Sequence, residues 1–443
     1  MALNWRWTTS RIVTCLVVAV VLALLLAGLG AWVLRRSVEK VFGPAAARGT
    51  YVLLTTQDFD GDGTAELICN SFAQESVWIV SPRTGRVLYQ VQTGPNPAQA
   101  LVVVGDADGD RVPDVWFRAE SGVQLKSTRT GDVLSEIRQG EADRRLGAPM
   151  VGVEDRNGDG QIDLVVGAPH WVENPDEAPG AVSLLGSGSG EVLWTVPIPQ
   201  PTSVFRSYFG DSLLTVPDVN GDAVPEISVT GSVGVKRVLY ILCGATGREV
   251  SCFPTTFVWG DFARAMDVLG QWPDRAGPVI AMGDGGDSPP WVEVRSLSKQ
   301  DVVLRVQGSD PNLRFGHSLR FVRDANGDGW PDLAIGSPGP LKGTALPGGL
   351  PWFGARTSDP SNGGEVRMVS GQTGDTLWIA RGNAAWAWFG LSIAVVGDID
   401  RDGCDDLAVA GEEGFGADER RPTLRLLSGA TGHTVWEVSL TRK

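Results

Sequence analysis

The chain has 443 residues, among them 57 glycines and 27 prolines, and a formal charge of −14. That much Gly and Pro, with only four tyrosines and five methionines, weighs against a helix-rich fold and favours many short strands joined by tight turns. The acidic balance, without a basic cluster beyond residue 49, argues against a nucleic-acid partner.

Taken in chain order, residues 1–11 are a short polar segment, and Ile12 to Leu34 form a charge-free run rich in Leu, Val and Ala. The run is long enough to cross a hydrocarbon core of about 30 Å as a helix and longer than the apolar part of a cleaved leader. A single transmembrane anchor over 12–34 is predicted, followed by a linker over 35–49 and one repeat domain over 50–443. Arg6 and Arg11 precede the anchor while Arg35, Arg36 and Lys40 follow it, so flanking charge does not decide its orientation.

Beyond Gly49 an acidic nine-residue pattern recurs six times. It comprises Asp58, Asp60, Asp62 and Glu66; Asp106, Asp108, Asp110 and Asp114; Asp155, Asn157, Asp159 and Asp163; Asp218, Asn220, Asp222 and Glu226; Asp324, Asn326, Asp328 and Asp332; and Asp398, Asp400, Asp402 and Asp406. Carboxylates stand at positions 1, 5 and 9, with Asp or Asn at 3. A hard cation takes six to eight oxygen ligands, and such a spacing on a Gly-rich turn converges several on one ion. Up to six Ca²⁺ are expected. These are not EF-hands, because position 12 is apolar in every copy (Cys69, Phe117, Val166, Val229, Ile335, Val409) where an EF-hand needs a bidentate Glu.

Each acidic loop leads into a short apolar run and then a hairpin around a Thr-Gly turn or its equivalent, at 77–91, 123–137, 182–196, 238–253, 292–306, 366–379 and 426–436. Before the fifth hairpin, the stretch from Gln271 to Val279 keeps the spacing but lacks the carboxylates, so that unit is expected to fold without metal. Strand, loop, strand, loop, strand, turn, strand is the grammar of a propeller blade. The predicted fold is an all-β, seven-bladed β-propeller of four-stranded antiparallel blades behind one N-terminal transmembrane helix. No spare strand is seen at either end to clasp the ring, which leaves closure to packing. Cys243 and Cys252 fall on two arms of one hairpin, and either a cross-strand disulfide or two free thiols fit that placement.

These units resemble the FG-GAP repeats of the integrin α-subunit head. Phe-Gly appears at Phe209-Gly210, Phe315-Gly316 and Phe389-Gly390, with Leu146-Gly147 as a variant; Gly-Ala-Pro appears at Gly167-Ala168-Pro169 and more loosely at Gly336-Ser337-Pro338. The resemblance implies calcium in the loops and ligand recognition at a cell surface, in a free-standing protein of prokaryotic type without the further domains of an integrin. Trp194, Trp378 and Trp436, each in a Thr-Gly-x-x-x-Trp or related hairpin, are similar to the tryptophan-docking repeat of quinoprotein propellers.

Extracellular calcium modules work at about 10⁻⁴ to 10⁻³ M, which favours an extracytoplasmic propeller and a cytoplasmic N-terminus. Six divalent ions would bring the charge from −14 to −2. Blade geometry puts acidic loops and Thr-Gly turns on one face and the long irregular loops on the other, where His170, Trp171, Trp352, Phe353, Trp386 and Trp388 are candidates for contact with a protein or glycan ligand. Catalytic motifs are absent, and His317 reads as a structural, hydrogen-bonded histidine. Two further readings stand beside the receptor: a carbohydrate-active lyase or hydrolase using Asp176, Glu177, Asp359, Glu412 or Glu413, and an envelope assembly scaffold.

Overall fold

The computed structural model describes most of residues 53–440; residues 1–52 and several connecting loops, among them 93–100, 139–145, 169–179, 198–208, 255–264, 340–362 and 414–420, lie outside the described residues. The predicted anchor over 12–34 and the linker therefore fall outside them. Among the described residues no helix is long and apolar enough to cross a membrane.

Twenty-eight strands form seven four-stranded antiparallel sheets, each built from four consecutive strands. The blades run over 53–92, 101–138, 150–197, 213–254, 266–307, 318–381 and 392–439. First strands of neighbouring blades meet from blade 2 round to blade 7 and from blade 7 to blade 1, and Ile68, Val77 and Ile79 of blade 1 pack with Leu101 and Val115 of blade 2, so the described sheets close a ring. Among the described residues no strand is exchanged between blades.

The burial pattern explains why the strands look as they do in sequence. Second strands are buried and largely apolar on both faces, as in Asp163–Ala168 and Val279–Gly283, whereas several third strands alternate with charged residues, as in Trp291–Ser296 and Glu365–Val369. Outer strands are wetted on one side and alternate, as in Thr434–Ser439. Apolar clusters bridge the junctions: Leu67, Trp78 and Val80 of blade 1 pack with Ala408, Leu424 and Leu426 of blade 7.

All seven third-to-fourth-strand pairs carry a register shift at the residue before the turn. The turn that follows brings its fifth residue into the left-handed region, Gly in six blades and Gln300 (φ 61°) in blade 5. Glycine answers a second demand in three of them. A Cβ on Gly85, Gly247 or Gly432 would stand 3.2, 2.9 or 2.5 Å from the indole of Trp436, Trp194 or Trp378 of the preceding blade.

Those indoles also donate across the junction. Trp194 Nε1 donates to the Gly244 carbonyl at 3.1 Å, Trp378 Nε1 to Gly429 at 2.8 Å, and Trp436 Nε1 to Pro82 at 2.7 Å. The last joins blade 7 to blade 1. Closure expected from packing alone is thus packing plus a tryptophan hydrogen bond, and the docking geometry suggested by the hairpin sequences is present.

All four described cysteines are free. The residue opposite Cys252 is Tyr240, while Cys243 lies in the turn, so the disulfide alternative for this pair fails on register. Trp388 differs from expectation too: it is 6% exposed, packed with Leu391 and Ala410, and offers no surface platform. Glu412 is buried at 3% exposure, which removes it as an open catalytic carboxylate. His317 Nδ1 lies 2.9 Å from Arg314 Nη2, the structural role expected of it.

Candidate metal centres

The acidic loops are held by their own carboxylates. Position 1 gathers the backbone N–H groups of positions 4 to 6: Asp155 Oδ1 accepts from Gly158 (2.6 Å) and Oδ2 from Gly160 (2.7 Å), and Asp218 does the same with Gly221 and Ala223. Closing so tight a turn puts positions 4 and 6 in the left-handed region. Glycine fills most of these places, but Arg111, Ala223 and Arg401 occupy three at φ 69°, 66° and 68°, where a side chain is strained.

Position 9 begins the second strand and faces inward. One oxygen of Asp114, Asp163, Glu226, Asp332 and Asp406 accepts the N–H of position 2 at 2.7–2.9 Å. In the four aspartates the second oxygen accepts an N–H from the Thr-Gly turn, at Thr128, Ser187, Gly371 and Gly429. Position 5 reaches the same turn through Ser81 on Asp62, Ser370 on Asp328 and Ser428 on Asp402. Loop and turn therefore share one face, as strand connectivity predicts.

In four loops three carboxylates each place one oxygen within 4.8 Å of the other two: Asp58, Asp60 and Asp62; Asp106, Asp108 and Asp114; Asp218, Asp222 and Glu226; and Asp398, Asp400 and Asp406. Oxygens on opposite sides of a calcium ion at about 2.4 Å are about 4.8 Å apart, so each triad can close on one ion. In the three loops with Asn at position 3, that Asn donates to position 5, at 3.1 Å in the Asp155 loop, 3.0 Å in the Asp218 loop and 2.9 Å in the Asp324 loop.

Electrostatics point the same way. Burial pushes Glu226 up, and the charges of Asp218 and Asp222 push it further, against the Val219 N–H. Asp114, Asp332 and Asp406 are raised first by burial and then by loop carboxylates. The chain alone does not compensate charge at position 9. Glu226 makes this plain: it is fully buried, and Oε1 has no hydrogen-bond partner. The residues present fit a divalent oxygen-seeking cation.

Blade 5 lacks the donors and has something else in their place. Trp272, at position 2 of the degenerate loop, is 3% exposed and packs edge-on to Phe321 (6.1 Å) and Trp330 (5.7 Å) of blade 6. Sequence reading recognised the missing carboxylates but not this indole; an unpaired Trp beside Pro273 in a loop that needs no apolar residue was the available signal. Of the ligand candidates, His170, Trp171, Trp352, Phe353 and Trp386 lie outside the described residues.

A ring of four-stranded blades with acidic first connections in six of them defines an acidic-loop β-propeller. The FG-GAP repeat family model matches residues 315–346, where Phe315-Gly316 and the Asp324 loop lie. Over 241 residues the chain is 28% identical to integrin alpha-3 of Cricetulus griseus, covering 51% of this chain and 22% of that protein. Over 123 residues it is 36% identical to integrin alpha-7 of Homo sapiens, covering 27% and 9%. It thus spans less than a quarter of the length of these relatives. Among solved structures, dihydro-heme d1 dehydrogenase NirN in complex with DHE superposes with a TM-score of 0.51 at 14% identity, covering 90% of this chain and 79% of that one; this likeness concerns the fold. The chain is a seven-bladed β-propeller that carries an FG-GAP repeat match and is similar in sequence to part of integrin α subunits.

Proposed function

We propose that this chain is a calcium-stabilised, non-enzymatic binding propeller of adhesion type, carried outside the cytoplasm on an N-terminal anchor at 12–34. It recognises a protein or glycan through the loops opposite the acidic face. One observation carries the reading: six of the seven first loops are charge-gathering loops on the same face as the turns, which leaves recognition to the other face. The integrin-like relatives support a ligand-binding role. Loops on a rigid scaffold are the usual place for it.

Calcium would be held by positions 1, 3, 5 and 9 of up to six loops, supplying the positive charge that the buried position-9 carboxylates lack. On the opposite side His170, Trp171, Trp352, Phe353 and Trp386 would contact the ligand. Thermal unfolding of the purified chain should shift upward by many degrees in millimolar calcium relative to chelator, and screens against glycans and surface proteins should give a ligand whose binding Trp352→Ala and Phe353→Ala weaken at unchanged melting temperature. No calcium shift would sink the metal assignment; binding unaffected by those substitutions would sink the face assignment. Orientation has its own test: Cys252 is exposed, so a membrane-impermeant maleimide should label it on intact cells.

A further inference from the structure

The loop of blade 4 meets its turn through sulfur rather than oxygen. Where blades 1, 6 and 7 set a serine hydroxyl against the position-5 aspartate, blade 4 sets the thiol of Cys243, whose Sγ lies 3.2 Å from Asp222 Oδ2. The same oxygen also accepts from Asn220 Nδ2 at 3.0 Å. Cys243 is buried at 7% exposure.

Two neighbours make the thiol more than a serine replacement. Asp218, Asp222 and Glu226 converge within 4.8 Å. Glu226 is fully buried, and its Oε1 lacks the turn N–H that satisfies the matching oxygen in blades 2, 3, 6 and 7. Glu226 is one methylene longer than the aspartates of those blades, and the turn does not take up its second oxygen. A sulfur and an oxygen bound to one tetrahedral zinc-class ion, at about 2.3 and about 2.1 Å, stand about 3.5 Å apart. The observed 3.2 Å needs a shift of a few tenths of an ångström.

We propose that the blade-4 loop takes a borderline-soft divalent cation of the zinc class on the converging carboxylates of Asp218, Asp222 and Glu226, with Cys243 Sγ beside Asp222 as the added soft donor, while the all-oxygen loops keep calcium. Thiolate ligands select such ions, whereas carboxylate and carbonyl sets suit calcium. On binding, the Cys243 thiol gives its proton to solvent as the sulfur–metal bond forms. This rests on the reading of the loop as a cation site and names the ion it prefers.

The test uses the full chain in millimolar calcium, titrated with Cd²⁺ alone. A single equivalent should produce the ultraviolet thiolate-to-cadmium band and protect Cys243, located by mass spectrometry, from alkylation, while exposed Cys252 continues to react. Cys243→Ser should fold, since serine stands there in five sibling blades, and should lose the band and weaken Cd²⁺ binding at least about tenfold. Glu226→Gln should weaken it with the band retained at saturation. A calcium-stabilised chain without band or protection overturns this proposal and leaves the calcium reading intact. Band and protection in a chain that calcium does not stabilise uphold the soft site and sink the calcium reading. Should Cys243→Ser fail to fold, protection of wild-type Cys243 decides alone.

Discussion

Blades 5 and 6 are neighbours with the same four strands and the same hairpin bulge, yet their first loops are held by opposite means. Blade 6 folds Asp324, Asp328 and Asp332 onto the backbone N–H groups of its own loop and turn, with Asn326 donating to Asp328. Blade 5 has Gln271, Pro273, Arg275 and Val279 at those positions and seats Trp272 against Trp330, which is position 7 of the blade-6 loop. Their junction also lacks the indole staple: Leu304 stands against Gly374 where Trp378 and Trp436 stand elsewhere. One loop depends on solution conditions; the other carries its own apolar closure. A blade needs something to fill the space between its first loop and its turn, and either charge around an ion or an aromatic ring meets that need.

The sharpest break in the comparison is Trp272→Ala. It should destabilise the propeller by about 3–5 kcal/mol, equally in calcium and in chelator, as read by denaturant midpoints; a loss confined to one condition would mean the indole acts through the blade-6 ion. Asp328→Asn should show the reverse dependence, costing about 1–3 kcal/mol in excess calcium and far less in chelator, where relief of like-charge repulsion offsets the lost bonds. Equal losses in both conditions would deny the loop a metal.

Trp436→Phe keeps the ring packing on Gly85 but removes the donor to Pro82, and should cost about 0.5–1.5 kcal/mol. No change would show that packing alone closes the ring.

The smallest effect concerns Asp267, whose Oδ2 accepts from Phe321 N of blade 6 at 2.6 Å. Burial pushes its carboxyl above the ordinary range, against the opposing effects of Arg320 and the Phe321 and Val268 N–H groups. With the folded-state value raised, protonation favours the fold. That contribution is full below the unfolded value and is lost as pH rises through the folded one. Asp267→Asn should therefore gain on wild type as pH rises from acid through the carboxylate range, and a difference in melting temperature independent of pH would refute the shift.

What could be read in the sequence follows from what repeats. Spacing of carboxylates at 1, 3, 5 and 9, and of each loop from its hairpin, is a local pattern seen many times over. It revealed blade number, strand order and the loop that had lost its donors. Contacts made once between distant segments have no such signature. Trp272 against Trp330, Cys243 against Asp222, and the missing partner of Glu226 Oε1 each depend on where two separate turns come to rest. Burial of Trp388 was misread for a related reason: an aromatic in a long loop looks the same in sequence whether it faces solvent or a neighbouring strand. Register likewise decided against a Cys243–Cys252 bridge, which position on two arms of a hairpin could not.

The indole hydrogen bond is made at sequence separations of 50, 51 and 354 residues, and the three bonds are alike once formed. Reaching them is not alike. For a flexible chain, closing a loop of 354 residues rather than 50 costs about 1.7 kcal/mol more entropy, and contacts of such separation form late. Six blade junctions can mature as the chain lengthens, whereas Trp78 and Val80 must wait for Leu424, Leu426 and Trp436. Until then one flank of the first blade is an open apolar sheet, so the timing of synthesis, more than the strength of any finished contact, governs how long this molecule is exposed to mispairing.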